Sequence, residues 1–185
     1  MKMSNAPDPG GHIFDTTCLN YFALTDNLSL LDRRYRGQAY VSREVLHELE
    51  DGVAGHPQLK AVVAADWFEV LRLEETEDLL NFERLLLRWG KNERNRGEAA
   101  TIILARRFDL VAVIDERVGR VTAKEQGLEI TGTVGIIVRM VLEGMLAEAE
   151  GWAVLQEMIS INPGGFRSPI KTRPQFINLC RGSGR

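Results

Sequence analysis

Short apolar runs that stop on an acid alternate along this chain with longer stretches of helical periodicity. His12-Ile13-Phe14 stops on Asp15, followed by Thr16 and Thr17, and Leu110-Val111-Ala112-Val113-Ile114 stops on Asp115. Apolar runs this short read as buried strands. Ala39-Tyr40-Val41, Trp67 to Leu73 and Leu128-Glu129-Ile130 predict three more. Between them, 3.6-residue spacing and cap residues predict helices over Thr17–Leu24, Asn27–Arg34, Ser42–Asp51 and Pro57–Ala65. Further helices follow over the leucine-rich stretch from Glu74 to Trp89, over Gly97–Arg107 and Glu116–Gln126, from Thr133 to Leu146, and over Glu148–Ile159. Strands alternating with helices predict βαβ units, hence an α/β fold with a parallel sheet. In such a sheet, ligands bind outside the carboxyl ends of the strands. Asp15 and Asp115 are therefore placed for chemistry.

Helical periodicity picks out two more acids. On Ser42–Asp51, Val45, Leu46, Leu49 and Val53 form one apolar stripe, and Glu48 lies at its edge beside Val45. On Gly97–Arg107, Glu98 stands in the first turn above Ile102, and this helix feeds the strand that ends on Asp115. Each acid alone has a plain structural explanation. Asp15 and Asp115 suit helix caps, Glu98 suits the positive end of a helix dipole, and Glu48 suits a solvated helix edge. Four acids at strand ends and helix starts of one α/β domain point further, to a cluster that cannot ionise fully without a counter-charge. Oxygen ligands suit Mg²⁺ or Mn²⁺. Such an ion lowers the pKa of a bound water and polarises a phosphoryl oxygen, which is phosphodiester-hydrolysis chemistry.

Composition narrows the alternatives. A length of 185 residues suits one domain, and 44% hydrophobic with 26% charged residues is ordinary for a chain with a real core. No apolar run reaches the roughly 20 residues of a membrane span. Residues 1–10 lack the apolar core of a secretory signal and predict a frayed leader. Two isolated cysteines, Cys18 and Cys180, fit a reduced cytoplasmic protein. The net charge of −3 argues mildly against a nucleic-acid partner, but an acidic metal site subtracts several charges from an otherwise basic face. Arg94, Arg96, Arg117 and Arg120, the basic residues nearest the acids, are the candidate phosphate contacts. The three histidines form no metal-binding pair, and no nucleophile elbow or phosphate-binding glycine loop occurs. Residues 163–185 hold three prolines, five basic residues and no acid, and predict a basic arm, or a segment that orders on a partner, after a domain over 11–162.

The motifs also resemble a known family. Ile13-Phe14-Asp15-Thr16-Thr17-Cys18-Leu19-Asn20-Tyr21 resembles the opening of PIN-domain proteins. Val41 to Leu49, Gly97 to Ala105 and Val113 to Arg117 with Gly119-Arg120 resemble their second, third and fourth motifs, and Thr131-Gly132-Thr133-Val134-Gly135 resembles a signature of a prokaryotic subgroup. The resemblance implies a three-layer α/β/α sandwich and a metal-dependent ribonuclease, commonly the VapC-type toxin of a toxin–antitoxin pair. It implies Asp15, Glu48, Glu98 and Asp115 as catalytic metal ligands with Mg²⁺ or Mn²⁺, and Glu116 as a fifth acid. It places Thr17, Thr131 and Thr133 at the substrate side or rim of the site. A cognate antitoxin and a homodimer are the implied partners. The alternative is a catalytically inactive PIN-like module that binds nucleic acid or protein. Three departures stand out: Glu98 where many members have Asp, a longer stretch between Gly52 and Gly97, and the basic C-terminal segment.

Overall fold

The computed structural model describes residues 7–90, 95–161, 166 and 168–182; residues 1–6 of the leader expected over 1–10 and the candidate contact Arg94 lie outside the described residues. The described end of that leader is held rather than frayed, the Asp8 amide donating to the Tyr40 hydroxyl at 3.0 Å and the Gly10 amide to Asp109 O at 2.9 Å. Five parallel strands form one sheet in the order β3-β2-β1-β4-β5: β1 (His12–Phe14), β2 (Ala39–Ser42), β3 (Phe68–Leu71), β4 (Val111–Val113) and β5 (Ile130–Thr131). Phe14 stands opposite Val41 on one side and Val113 on the other. The chain thus builds outward from β1 in one direction, then returns to build outward from it in the other. The gap between β1 and β4 is the topological switch point, where the connections diverge and leave a crevice.

Side-chain alternation divides the strands between two cores. Phe14, Val41 and Val113 face α1 (Thr16–Leu24), α2 (Leu28–Tyr35), α4 (Lys60–Val63), α8 (Thr133–Leu142) and α9 (Glu148–Ile161). Ile13, Tyr40 and Ala112 face α5 (Thr76–Arg88), α6 (Arg96–Phe108) and α7 (Arg117–Glu125). With α3 (Arg43–Gly52), these helices cover both faces of the sheet in three layers, α/β/α. Ser42 begins α3 as expected, its hydroxyl accepting from the Val45 amide at 3.0 Å. Gly97 to Ala105 of α6 are all buried, so the helix carrying Glu98 lies in the core rather than on it. On α5, Phe82 and Leu86 are core residues, whereas Leu79 is 45% exposed.

The structure corrects three further expectations. The helix expected over Pro57–Ala65 is a 3-10 turn, Pro57–Leu59, followed by the short α4. The helix expected to reach Leu146 ends at Leu142, because Gly144 takes a left-handed φ of 73° and turns the chain. The basic arm is the largest correction. Its described part carries α10 (Arg173–Cys180), closed at its start by a Thr172/Gln175 capping box. Phe176 is fully buried beside Trp152, and α10 packs on α8 and α9. The segment orders on its own domain, because Phe166, Ile170, Phe176 and Cys180 are buried in its core and Arg181 pairs with Glu148 of α9. Among the described residues, no helix is long and apolar enough to cross a membrane.

Candidate active site

The switch point gathers the acids. Asp15 follows β1, and its backbone N–H donates to Val113 O of β4 at 3.1 Å. Asp115 follows β4. Asp15, Glu48 and Glu98 line one cleft of about 400 Å³, with Thr16, Thr17, Asp51, Asn95 and Glu116 around it. Asp15 is 3% exposed and Glu98 7% exposed, which decides against solvated surface acids. Capping accounts for Asp15 only in part: it precedes α1 and the Thr16 and Thr17 amides favour its charged form, yet its side chain makes no hydrogen bond of capping geometry. A favourable helix dipole does not account for the burial of Glu98: its Oε1 is out of solvent without a well-formed hydrogen bond, and the nearby Gly119 amide only partly offsets that burial. A buried unpaired carboxylate oxygen is costly unless something else meets it.

The other two acids are held. The Thr16 hydroxyl donates to Glu48 Oε2, and the Gly97 amide donates to Oε1 at 2.7 Å. The Thr133 amide donates to Asp115 Oδ1 at 2.9 Å, and its hydroxyl donates to Oδ2. Both carboxylates therefore have fixed orientations. Three glycines let the backbone come this close. A Cβ at Gly97 would lie 2.6 Å from Glu48 Oε2, and one at Gly132 would lie 2.6 Å from Asp115 Oδ1. A Cβ at Gly119, in the first turn of α7, would overlap Glu98 Oε1 and Cδ outright.

Charge follows from this packing. Burial first, then the Glu48 carboxylate, push Asp15 from 3.8 up to about 7, while the Thr16 and Thr17 amides pull the other way. Burial, then Asp15, Glu116 and Glu48, push Glu98 from 4.5 up to about 8. Glu48 and Asp115 are also raised, by burial first, against their hydrogen-bond donors. Near neutral pH the cluster thus holds protons that ordinary carboxyls would have lost.

The remaining sequence candidates divide. Thr17 and Glu116 border this cleft and also a second, larger one of about 680 Å³. Asp115, Arg117, Arg120 and Thr131 lie along that second cleft. Arg120 also braces the sheet. Its Nη1 donates to Ile114 O at 2.6 Å and to Thr131 O at 2.8 Å, tying the end of β4 to β5. The Arg96 guanidinium stands 5.0 Å from the Phe82 ring centroid and lowers the Glu48 pKa from outside. Sequence reasoning missed Thr16 and the three glycines. Thr16 is visible as the hydroxyl beside Asp15, and Gly97 as the residue before Glu98. Gly119 and Gly132 meet their acids only through the fold. Among the described residues, no three His, Cys, Asp or Glu side chains already stand in a group able to hold one ion. Asp15, Glu48 and Glu98 converge on one crevice, with Asp115 on the adjoining cleft, without forming a closed ligand shell.

Two outcomes check this arrangement. Gly119→Ala should lower stability by about 1–3 kcal/mol in urea denaturation, as overpacking does. Paired with Glu98→Ala, the loss should depart from additivity by more than about 0.5 kcal/mol; additive losses would mean the two residues do not touch. The second outcome concerns pH. A neutral carboxyl at 15 or 98 does not disfavour the fold below 3.8 or 4.5, and a penalty grows as pH rises, complete above about 7 and about 8. In a chelator, the melting temperature of Glu98→Gln relative to wild type should therefore climb as pH rises from 4.5 towards about 8 and level off above it; a difference constant with pH would show that Glu98 titrates normally.

Residues 12–180 match the PIN-domain family. No curated protein and no solved structure matches the chain. PIN domains are typically nucleases that use divalent metals, so the match supports a nucleic-acid hydrolase at that coarse level. With this match spanning nearly the whole chain and a parallel sheet ending on acids at its switch point, the protein belongs to the PIN-domain family.

Proposed function

We propose that this protein is a metal-dependent endoribonuclease that hydrolyses RNA phosphodiesters, the toxin component of a toxin–antitoxin pair. The observation that carries the reading is the buried Glu98 Oε1, without a well-formed hydrogen bond, in the same cleft as the buried Asp15. Two carboxyls at close quarters with such an oxygen are mismatched to protons alone and suited to a hard cation. The donor set is all oxygen, which suits Mg²⁺ or Mn²⁺. Asp15 and Glu98 would hold the ion, with Glu48 and Asp115 oriented for it by Thr16, Gly97 and Thr133. When bound, such an ion polarises a phosphoryl oxygen and acidifies water. The cognate antitoxin, the homodimer and the RNA preference belong to the same reading and rest on the motif resemblance, and the cytoplasmic location rests on the two isolated cysteines.

A second reading has its own support. Glu48 and Asp115 already satisfy both oxygens with protein donors, and the described residues hold no preformed ligand group. These facts favour a PIN-like module that binds nucleic acid or protein without cutting it. Carboxylate oxygens accept more than one bond each, so donors from the protein leave room for an ion. The deciding experiment is cleavage of a labelled single-stranded RNA with Mn²⁺ present. Wild type should cut it, Asp15→Asn should not, and Thr133→Val should cut about 10–100-fold more slowly, the usual loss when a supporting partner is removed. Intact RNA with a folded wild-type protein would leave the binding-module reading in place.

A further inference from the structure

Arg120 and the Thr131-Gly132-Thr133 motif lie apart in sequence, and the fold joins them. β5 is two residues long and ends at Thr131, so its ladder to β4 stops short of Thr133. Asp115 nevertheless takes donors for both of its oxygens from Thr133. One nitrogen bridges the end of the ladder to that pair. Arg120 Nη1 donates to Ile114 O at 2.6 Å and to Thr131 O at 2.8 Å, the carbonyls immediately before Asp115 and before Gly132. Both hydrogens of that nitrogen are thereby committed to the backbone. Gly132 lies at the centre of the arrangement. A Cβ there would be 2.6 Å from Asp115 Oδ1, 3.0 Å from Arg120 Nη1 and 3.1 Å from Ile114 O. Gly135 leaves room for the Thr131 hydroxyl, because a Cβ there would lie 2.5 Å from its Oγ1.

We propose that Arg120 is a positioning residue for the metal site: by clamping the ends of β4 and β5 it sets where Thr133 meets Asp115, and through that pair how Asp115 is presented to a divalent ion. This rests on the metal-dependent reading of the acid cluster and deepens it. The other role for an arginine here is direct contact with a substrate phosphate, and the geometry favours the clamp. The side chain is half-buried, and one of its nitrogens is spent on two backbone carbonyls, so the fold holds it in place. A planar nitrogen with two fixed N–H directions spans carbonyls on neighbouring strands; a lysine ammonium brings the charge on a flexible stem without that fork. Loss of the guanidinium leaves both carbonyls short of a donor beside the Asp115 carboxylate. Oxygens of like partial charge then move apart and carry Thr133 with them. The same clamp explains why the motif holds glycine at 132, the position that the carboxylate, the guanidinium and a carbonyl all approach.

The test measures Mn²⁺ binding to the full chain by calorimetry. Melting temperature in a chelator and the salt dependence of RNA binding at saturating Ca²⁺ are read alongside. Arg120→Ala should bind Mn²⁺ about 10-fold or more weakly, the usual scale when a group supporting a metal ligand is lost. Arg120→Lys keeps the charge and carries the test if the alanine variant does not fold; it too should lose about 10-fold. Combined with Thr133→Val, Arg120→Ala should cost less than the product of the separate losses, because both act on one carboxylate. The slope of log RNA affinity against log salt should stay at the wild-type value, whereas loss of a phosphate contact would lower it by about 1. A folded Arg120→Ala protein with wild-type Mn²⁺ affinity, even at a reduced melting temperature, overturns the proposal and leaves Arg120 as a brace of the sheet. Full recovery of Mn²⁺ affinity in Arg120→Lys, or a lowered salt slope in Arg120→Ala, overturns it in favour of charge or phosphate contact. A wild-type protein that binds no Mn²⁺ overturns the metal reading itself, and the positioning role with it.

Discussion

The structure depends on burying acids that repel one another. Asp15 and Glu98 lie almost wholly out of solvent, in a crevice that Glu48 borders and Asp115 adjoins. Each raises the proton affinity of another, and Glu98 has a buried oxygen without a well-formed hydrogen bond. Such a cluster weakens a fold unless protons or a cation neutralise it. The surrounding devices serve to hold it: hydroxyls from Thr16 and Thr133, amides from Gly97 and Thr133, and side-chain-free positions at Gly97, Gly119 and Gly132.

The sheet order explains why the cluster sits where it does. Because β1 is central and the chain departs from it both ways, the loops after β1 and β4 diverge. Asp15 and Asp115 enter that gap from adjacent strands, and α3 and α6 bring Glu48 and Glu98 to it from the flanking layers. Burial of α6 from Gly97 to Ala105 fixes the backbone that carries Glu98 at the lining of the cleft. The same divergence opens the second cleft beside the first, with Thr17 and Glu116 as their common edge.

Much of this is legible from spacing. The two apolar runs that stop on acids are the adjacent strands β1 and β4, and the stripe of Val45, Leu46 and Leu49 is the buried side of α3. Fold class follows from alternation of short apolar runs with helical periods. What pattern does not supply is direction and distance. In sequence Arg120 is only a positive charge near the acids, whereas its guanidinium also bonds the carbonyls of Ile114 and Thr131. Gly119 looks like an ordinary helical glycine, and only the approach of α7 to α6 shows that a methyl group there would strike Glu98. In the C-terminal segment the run of cations dominates the sequence, while scattered apolar residues, Phe166, Ile170, Phe176 and Cys180, dock it on the core.

The most direct test of the central claim is calorimetric titration of Mn²⁺ into the protein near pH 7, repeated in two buffers of different ionisation enthalpy. The difference in heat reports protons released on binding. If the ion enters a cluster whose acids are held protonated by burial and mutual repulsion, binding should occur at one site and expel about one proton, as expected when ligands must deprotonate. Absence of binding, or binding with no proton release, would contradict the account.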